Sequence, residues 1–318
     1  MICAIRKGEA PAIMTRTTAA WAFAALLLAV GLAPRIAVAQ ELVPRAYWPA
    51  PAGTNVLSLG YQYSTGDVVT DPSLPIAGVD SKIHAFQAGY QRTFGLFGRT
   101  ANVQFSVPYS SANMEGFYLG QPARRAMSGL ADARVRLSVN LRGAPVLTPQ
   151  AFRALSENPE TLIGVSLLVQ APTGEYDVDR LINLGTNRWS VKPALGVIYP
   201  FSRNWALEFE IGTWFFGDND EFVGQTRKQD PIVSTELHLI RRFGKEVWGS
   251  LDANYYAGGR TQVGPDRKAD LQRNSRFGAT VFWPFRRHHA LRASFSTGVV
   301  TESGGDYEVF SLGYLYVW

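Results

Sequence analysis

Apolar and polar residues alternate with a period of two in segment after segment of this 318-residue chain. In the clearest case, 131–141, one face is wholly apolar and the other carries Asp132, Arg134 and Arg136. Successive side chains of a β-strand point to opposite faces, so each such segment predicts a strand with one apolar face. Twelve segments follow the pattern: 57–63, 86–91, 101–109, 131–141, 163–171, 189–199, 207–215, 233–239, 250–255, 276–283, 291–296 and 309–318. We therefore predict an all-β fold.

The connections between these segments alternate between short and long. The short turns lie at 95–98, 202–204, 244–246 and 286–289, and the long polar loops lie at 66–81, 111–127, 174–187, 217–230 and 258–271. Aromatic residues gather at the strand ends near both kinds of connection. Outer-membrane barrels have short turns on one side, long loops on the other and an aromatic girdle at each interface. The pattern predicts a transmembrane up-and-down antiparallel β-barrel of about 12 strands; a periplasmic β-sandwich is the alternative.

One connection on the short-turn side, 142–160, is long. Within it, the segment 148–155 has a Thr at the position of a helix cap and Pro149 at the first helical position. We predict a short periplasmic helix between strands 4 and 5. It either plugs the lower mouth of the barrel or, as we favour, lies against the rim through Phe152 and Leu155.

The start of the chain has the features of a secretory signal peptide. Basic residues precede an apolar run at 19–33, and small residues at 37–39 form a cleavage pattern. The run is too short to span a bilayer. We expect a signal peptide at 1–39, with Met14 an alternative start, and an outer-membrane β-barrel at 40–318. Because part of the net charge of +5 lies in the signal, no nucleic-acid partner is implied.

The other end of the chain points to the same compartment. The last strand places five apolar side chains on one face: Phe310, Leu312, Tyr314, Tyr316 and Trp318. A strand of this kind resembles the closing strand of bacterial outer-membrane barrels. The resemblance implies that the strand is the signal read by the barrel assembly machinery, with outer-membrane lipid and lipopolysaccharide as further partners.

Charged residues of both signs fall on the predicted inward face. They are Asp132, Arg134, Arg136, Lys192, Glu208, Glu210, Glu236, Asp252, Arg276 and Arg292, with His238 near Glu236. Such a face either lines a wetted pore or forms a salt-bridged filling. A barrel of about 8 strands is filled by side chains and one of about 16–18 is open, so twelve strands allow a narrow pore. We favour a narrow channel lined by these residues over a closed structural barrel.

Catalysis and metal binding have weaker support. His84 is the one histidine placed for the Ser-His-Asn chemistry of outer-membrane phospholipases, and no serine motif stands beside it in sequence. The acidic clusters at 177–179 and 218–221 lack the ligand spacing of a calcium loop. The only cysteine, Cys3, lies in the predicted signal. We expect no enzyme activity, no metal and no cofactor.

Several segments carry a family resemblance: Ala171–Asp177, Leu181–Trp189, Gly212–Phe216 and Asp252–Tyr256. Together they are similar to outer-membrane transporters associated with the meta pathway of phenol degradation. The likeness extends over essentially the whole mature chain. It implies a β-barrel and passive uptake or release of small, aromatic or hydrophobic solutes.

Overall fold

The computed structural model describes residues 42–66, 76–244, 246–300, 303 and 307–318. The predicted signal peptide lies outside them. In chain order the elements of the described part are β1 (Asn55–Gly66), β2 (Ile76–Leu96), β3 (Arg99–Tyr118), β4 (Gln121–Leu130), β5 (Arg134–Arg142), α1 (Pro149–Glu157), β6 (Leu162–Gln170), β7 (Ser190–Ser202), β8 (Trp205–Phe216), β9 (Asn219–Phe222), β10 (Gln225–Gln229), β11 (Ile232–Phe243), β12 (Val247–Gly258), β13 (Thr261–Val263), β14 (Asp266–Arg267), β15 (Gln272–Arg286), β16 (His289–Val300) and β17 (Tyr307–Val317). No helix of the described residues is long and apolar enough to cross a membrane.

Thirteen of the strands form one sheet that closes on itself. The order runs β2-β1-β17-β16-β15-β12-β11-β8-β7-β6-β5-β3-β4, and β2 also pairs with β3. Strands β4 and β5 are two halves of one barrel strand because both pair with β3. The first strand pairs with the last, with Leu59 opposite Tyr314. The predicted antiparallel barrel of twelve strands is therefore confirmed.

The strand register divides the side chains into two faces. On β5 and β6, Val135 lies opposite Val169 and Leu137 opposite Leu167, and these side chains point out of the barrel. An apolar outer band of this kind is what a surface in contact with lipid requires. The intervening residues point into the lumen and are mostly polar. The inside and outside phases predicted for the twelve strands agree with this register.

The fourth predicted strand, 131–141, is corrected by the structure. Strand β5 starts only at Arg134, and residues 131–133 form a break between β4 and β5. The carboxylate of Asp132 accepts hydrogen bonds from the backbone N–H groups of Gly174 (2.9 Å) and Thr186 (3.0 Å). Asp132 therefore lies outside the strands, where it holds the loop at 171–187, and its role in lining the lumen stays a prediction.

Four of the five predicted loops also contain strand residues, and in one of them, 66–81, β2 already starts at Ile76. The segment 111–127 is a hairpin of β3 and β4 that turns at Leu119 and Gly120, which both have positive φ. The segments 217–230 and 258–271 contribute a separate four-stranded sheet of β9, β10, β13 and β14. Beyond the apolar band, both faces of a strand can be polar. Strands still pair there, but their residues lack the apolar–polar alternation by which the barrel strands were predicted.

The helix is confirmed where the sequence predicted it. The backbone N–H of Ala151 donates to Thr148 Oγ1 (3.2 Å), and Pro149 occupies the first turn. Leu155 is buried in an apolar cluster, and Phe152 packs against it. The helix therefore uses both residues predicted to hold it at the short-turn end.

Candidate functional site

A continuous chain of polar contacts crosses the inward face of the barrel at mid-height. We call it the lumen network; it consists of Arg136, Lys192, Glu210, Glu236, His238, Asp252 and Thr280. Its contacts are Arg136 Nη2–Glu210 Oε2 (2.8 Å), Lys192 Nζ–Glu210 Oε1 (2.8 Å), Lys192 Nζ–Glu236 Oε1 (3.2 Å), His238 Nε2–Glu236 Oε2 (3.5 Å), His238 Nδ1–Asp252 Oδ1 (2.8 Å) and Thr280 Oγ1–Asp252 Oδ2 (2.8 Å). The network joins strands β5, β7, β8, β11, β12 and β15.

The register explains why these side chains meet. Glu210 lies directly opposite Glu236 on neighbouring strands, and His238 lies opposite Asp252. Two adjacent carboxylates repel unless a cation lies between them, and Lys192 Nζ contacts both. Because the groups are buried, removing one partner would leave a charge unpaired at a cost of about 3–5 kcal/mol. At this height the lumen wall is an ion-paired layer.

The chain that precedes the first strand enters the barrel. We call residues 42–54 the plug segment. The backbone N–H groups of Val43 and Arg45 donate to Glu236 Oε2 (3.4 Å) and Glu208 Oε2 (2.5 Å). Further along, Ala52 N donates to Leu147 O (2.9 Å). The plug segment thus uses backbone donors to satisfy carboxylates of the lumen wall.

Tyr47 anchors the plug segment in a socket of the wall. Its hydroxyl lies 3.0 Å from Ser166 Oγ, and its carbonyl accepts from Asn140 Nδ2 (3.1 Å). The ring rests on two wall positions without side chains: a Cβ at Gly164 would lie 2.4 Å from the ring, and a Cβ at Gly196 would lie 2.0 Å from it. Any larger residue at Gly196 would collide with Tyr47, so these glycines create the space for the plug.

An apolar cluster packs around this anchor at the short-turn end. Tyr47 packs with the wall residues Leu162 and Ile198 and with Leu155 of α1. Helix α1 is further tied to the wall because Arg242 donates to the carbonyl of Ser156. Helix α1 therefore packs at the short-turn end on inward-facing wall residues and on the plug segment, and its placement against the rim, which we favour over a plug of the mouth, stays a prediction.

Apart from Asp132, the predicted lumen residues occupy four environments. Arg136, Lys192, Glu210, Glu236 and Asp252 meet in the lumen network, and Glu208 binds the plug segment. Towards the long-loop end, Arg134 donates to Gln170 (3.0 Å), while Arg276 donates to Ser296 (2.9 Å) and lies over the Tyr307 ring. Arg292 shares the inward face and is exposed. Their role as channel lining remains a prediction, as does the role of the C-terminal strand in assembly.

His238 lies beside Glu236, as the sequence predicted. The plug segment was not predicted from the sequence. The segment has no periodic pattern. The available signal was a set of apolar and aromatic residues, including Tyr47 and Trp48, between the predicted cleavage site and the first strand. Residues of this kind are usually buried in a folded protein, but nothing in the sequence indicates that they are buried in the lumen.

The structure does not assemble a hydrolase triad at His84. The register places Ser111 opposite His84, but the ring Nδ1 shares its hydrogen bond with the Tyr61 hydroxyl (2.8 Å). The acidic loops make local contacts: Asp218 pairs with Lys228 (2.8 Å) and raises the pKa of that amine by hydrogen bonding. Within the described residues no cluster of three or more His, Cys, Asp or Glu could hold a metal ion.

Comparison with known proteins supports this architecture. Residues 59–311 match the family described as "Putative MetA-pathway of phenol degradation". The chain belongs to this family. No curated protein sequence matches it. The crystal structure of an outer membrane channel from Pseudomonas putida F1 superposes with a TM-score of 0.75 at 21% identity, covering 87% of this chain and 100% of that chain.

More distant barrels were also found. The NanC porin has a TM-score of 0.46 at 6% identity, covering 82% of this chain and 98% of its own. The β domain of the Bordetella autotransporter BrkA has a TM-score of 0.48 at 12% identity, covering 84% of this chain and 100% of its own. The Pseudomonas structure supports the barrel fold of this family member, and the other two are too distant to carry an argument.

Proposed function

We propose that this family member is an outer-membrane channel for small solutes, closed in the described conformation by its plug segment. The observation that carries the proposal is the plug segment inside the barrel. Residues 42–54 enter a polar lumen and are held there by hydrogen bonds and by one aromatic ring in a socket. A wall that served only as a scaffold could fill the same space with its own side chains.

The closure is reversible in this proposal. The polar contacts of the plug segment with the wall are ordinary hydrogen bonds, each worth about 0.5–1.5 kcal/mol net, or somewhat more when the acceptor is charged. The ion pairs of the lumen network lie between wall residues and need not break when the segment leaves. Withdrawal of the segment would expose Glu208 and Glu236 to a water-filled path.

The barrel is proposed to lie in the bacterial outer membrane. The exposed apolar band supports this location, as do aromatic side chains that point outwards near the short turns, such as Tyr199, Phe243 and Trp283. Lipid, lipopolysaccharide and the assembly machinery are its proposed partners. We propose no enzyme activity, since among the described residues no serine is hydrogen-bonded to His84.

The solutes are proposed to be small and aromatic or otherwise hydrophobic. The family description, which refers to phenol degradation, supports this class. Two alternatives remain: a closed structural or surface-binding barrel, favoured by the ion-paired lumen network, and, with less support, an outer-membrane lipid hydrolase.

Conductance in planar bilayers tests the channel. Tyr47→Ala removes the anchoring ring and should raise the fraction of time that the refolded barrel conducts by about tenfold, which corresponds to about 1.4 kcal/mol. Tyr47→Phe is the matched control. It keeps the ring in the socket and loses only the hydroxyl, which contacts Ser166 and Glu210, so its open fraction should rise much less than that of Tyr47→Ala. If neither the unmodified barrel nor Tyr47→Ala conducts, the channel proposal fails and the structural barrel stands.

A further inference from the structure

The two rims of the barrel differ in how their exposed cations are paired. At the long-loop rim, exposed cations form ion pairs with carboxylates, namely Arg124 with Glu115, Arg180 with Asp177, Lys228 with Asp218 and Arg267 with Asp230. At the short-turn rim, exposed arginines form no ion pair within the described residues; they include Arg99, Arg142, Arg203, Arg241, Arg286 and Arg287. The glutamates described at that rim are fewer, namely Glu157, Glu160 and Glu246. The short-turn rim therefore carries net positive charge.

Aromatic rings hold one of these arginines in place on the outer surface of the barrel. Arg241 follows Leu237 and Leu239 on the outward face of β11 and lies opposite Trp205 of β8. Its guanidinium carbon is 5.0 Å from the centre of the Trp205 ring and 5.1 Å from that of the Phe243 ring. The faces of aromatic rings attract a cation, so the side chain has lost part of its freedom before any ligand binds. Arg241 is therefore a pre-positioned cation.

The guanidinium of Arg241 lies at the edge of the apolar band and has no polar partner among the described residues. Leu207 and Leu239 come next on the outward face towards the middle of the barrel, and in the other direction β11 ends at Phe243. Lipid headgroups begin at this level of an outer-membrane barrel. A guanidinium binds a phosphate through two parallel hydrogen bonds, and nearby positive charge favours an anionic lipid over a zwitterionic one.

We propose that Arg241, held by Trp205 and Phe243, binds the phosphate of an anionic phospholipid in the membrane leaflet at the short turns. The acyl chains of that lipid would lie along the apolar band, beside Leu239 and Leu207. An acidic protein would also be attracted to the rim, but the position of Arg241 next to the apolar band matches a headgroup joined to hydrocarbon chains. The inference rests on the proposed membrane location and does not require that the barrel conducts.

Native mass spectrometry of the full mature chain, refolded in dodecyl maltoside, tests the site by measuring the binding of single lipids. The probes are phosphatidylglycerol and phosphatidylcholine with the same acyl chains. The unmodified barrel should bind phosphatidylglycerol about tenfold more tightly than phosphatidylcholine, because Arg241 and the rim around it are positively charged. Arg241→Gln should weaken phosphatidylglycerol by about fivefold and leave phosphatidylcholine nearly unchanged, since it removes one charge next to the headgroup.

The matched control is Arg287→Gln, which removes an exposed arginine from the turn between β15 and β16 and should keep most of the preference. If Arg241→Gln fails to fold, Arg241→Lys decides: it keeps the charge without the planar fork and should weaken phosphatidylglycerol by about threefold. Equal affinities of the unmodified barrel for the two lipids, or equal losses in Arg241→Gln and Arg287→Gln, would overturn the proposal. Displacement of phosphatidylglycerol by polyglutamate would assign the rim to an acidic protein instead, and displacement by inorganic phosphate at about 1 mM would show that the acyl chains contribute nothing; either result would overturn the assignment to a lipid.

Discussion

Single positions along each strand decide whether a side chain meets lipid or lumen. On β1, Leu59 points outwards and is 52% exposed, whereas Gln62 points inwards. The sequence predicted this division because lipid and a polar lumen impose opposite requirements on successive residues. It could not predict which inward residues touch, since Arg136 and Glu210 are 74 positions apart and meet only through the closure of the barrel.

The two faces of β1 should respond differently to the same charge. Leu59→Arg should destabilise the barrel by about 2–4 kcal/mol if the position lies near the bilayer midplane, because the guanidinium would be placed in hydrocarbon. Gln62→Arg places the same group in the polar lumen and should cost much less. Urea unfolding in lipid vesicles measures both free energies. Equal costs would mean that the face assignment of β1 is wrong.

The Tyr47 socket makes a second prediction for single positions. Gly196→Val should destabilise the folded barrel by about 1–3 kcal/mol, since the added side chain overlaps the tyrosine ring. In a Tyr47→Ala background the same change should cost at least about 1 kcal/mol less, because the overlapping ring is gone. A double-mutant cycle by urea unfolding measures this coupling. Additive effects would show that Tyr47 does not occupy the socket.

Whole elements were predictable where local chemistry specifies them. The twelve barrel strands carry alternation, and α1 carries its own cap and proline, so both were found from sequence. The residues at which elements end were not predictable from sequence. The hairpin of β3 and β4 extends to Tyr118 and Gln121 through residues without a consistent apolar face. The break at 131–133 depends on backbone donors from residue 174 and residue 186, which no local pattern reveals.

Helix α1 should depend on its cap. Thr148→Ala removes the side-chain acceptor of the Ala151 N–H and should cost about 1 kcal/mol of helix stability. Exchange of the backbone amides of residues 151 and 152 should therefore speed up by about fivefold, while exchange in the barrel strands stays unchanged. Gln150→Ala, an exposed change in the same turn, is the control and should leave exchange nearly unaltered. Unchanged exchange in Thr148→Ala would show that the Thr148 side chain does not stabilise this helix.

At the scale of the whole molecule, the barrel was predictable from sequence, but the plug segment inside it was not. The sheet forms a closed barrel because each of the twelve strands needs two neighbouring strands. The plug segment binds wall residues such as Glu236, which lies 193 positions away from Val43. No local period or charge pattern encodes such a contact. The candidate site thus combines lumen residues that the sequence located with a segment whose position only the fold determines.

The orientation of the barrel gives a prediction for the molecule in its membrane. Long loops of outer-membrane barrels face the cell exterior and short turns face the periplasm. The only cysteine of the sequence is Cys3, in the predicted signal, so an introduced cysteine reports alone. Leu119→Cys, at the exposed tip of the hairpin of β3 and β4, should react with an impermeant maleimide on intact cells. Arg287→Cys, in the exposed turn between β15 and β16, should react only after the outer membrane is permeabilised. The reverse pattern would show that the barrel has the opposite orientation in the membrane. A requirement for permeabilisation at both positions would argue against exposure of the long loops at the cell surface.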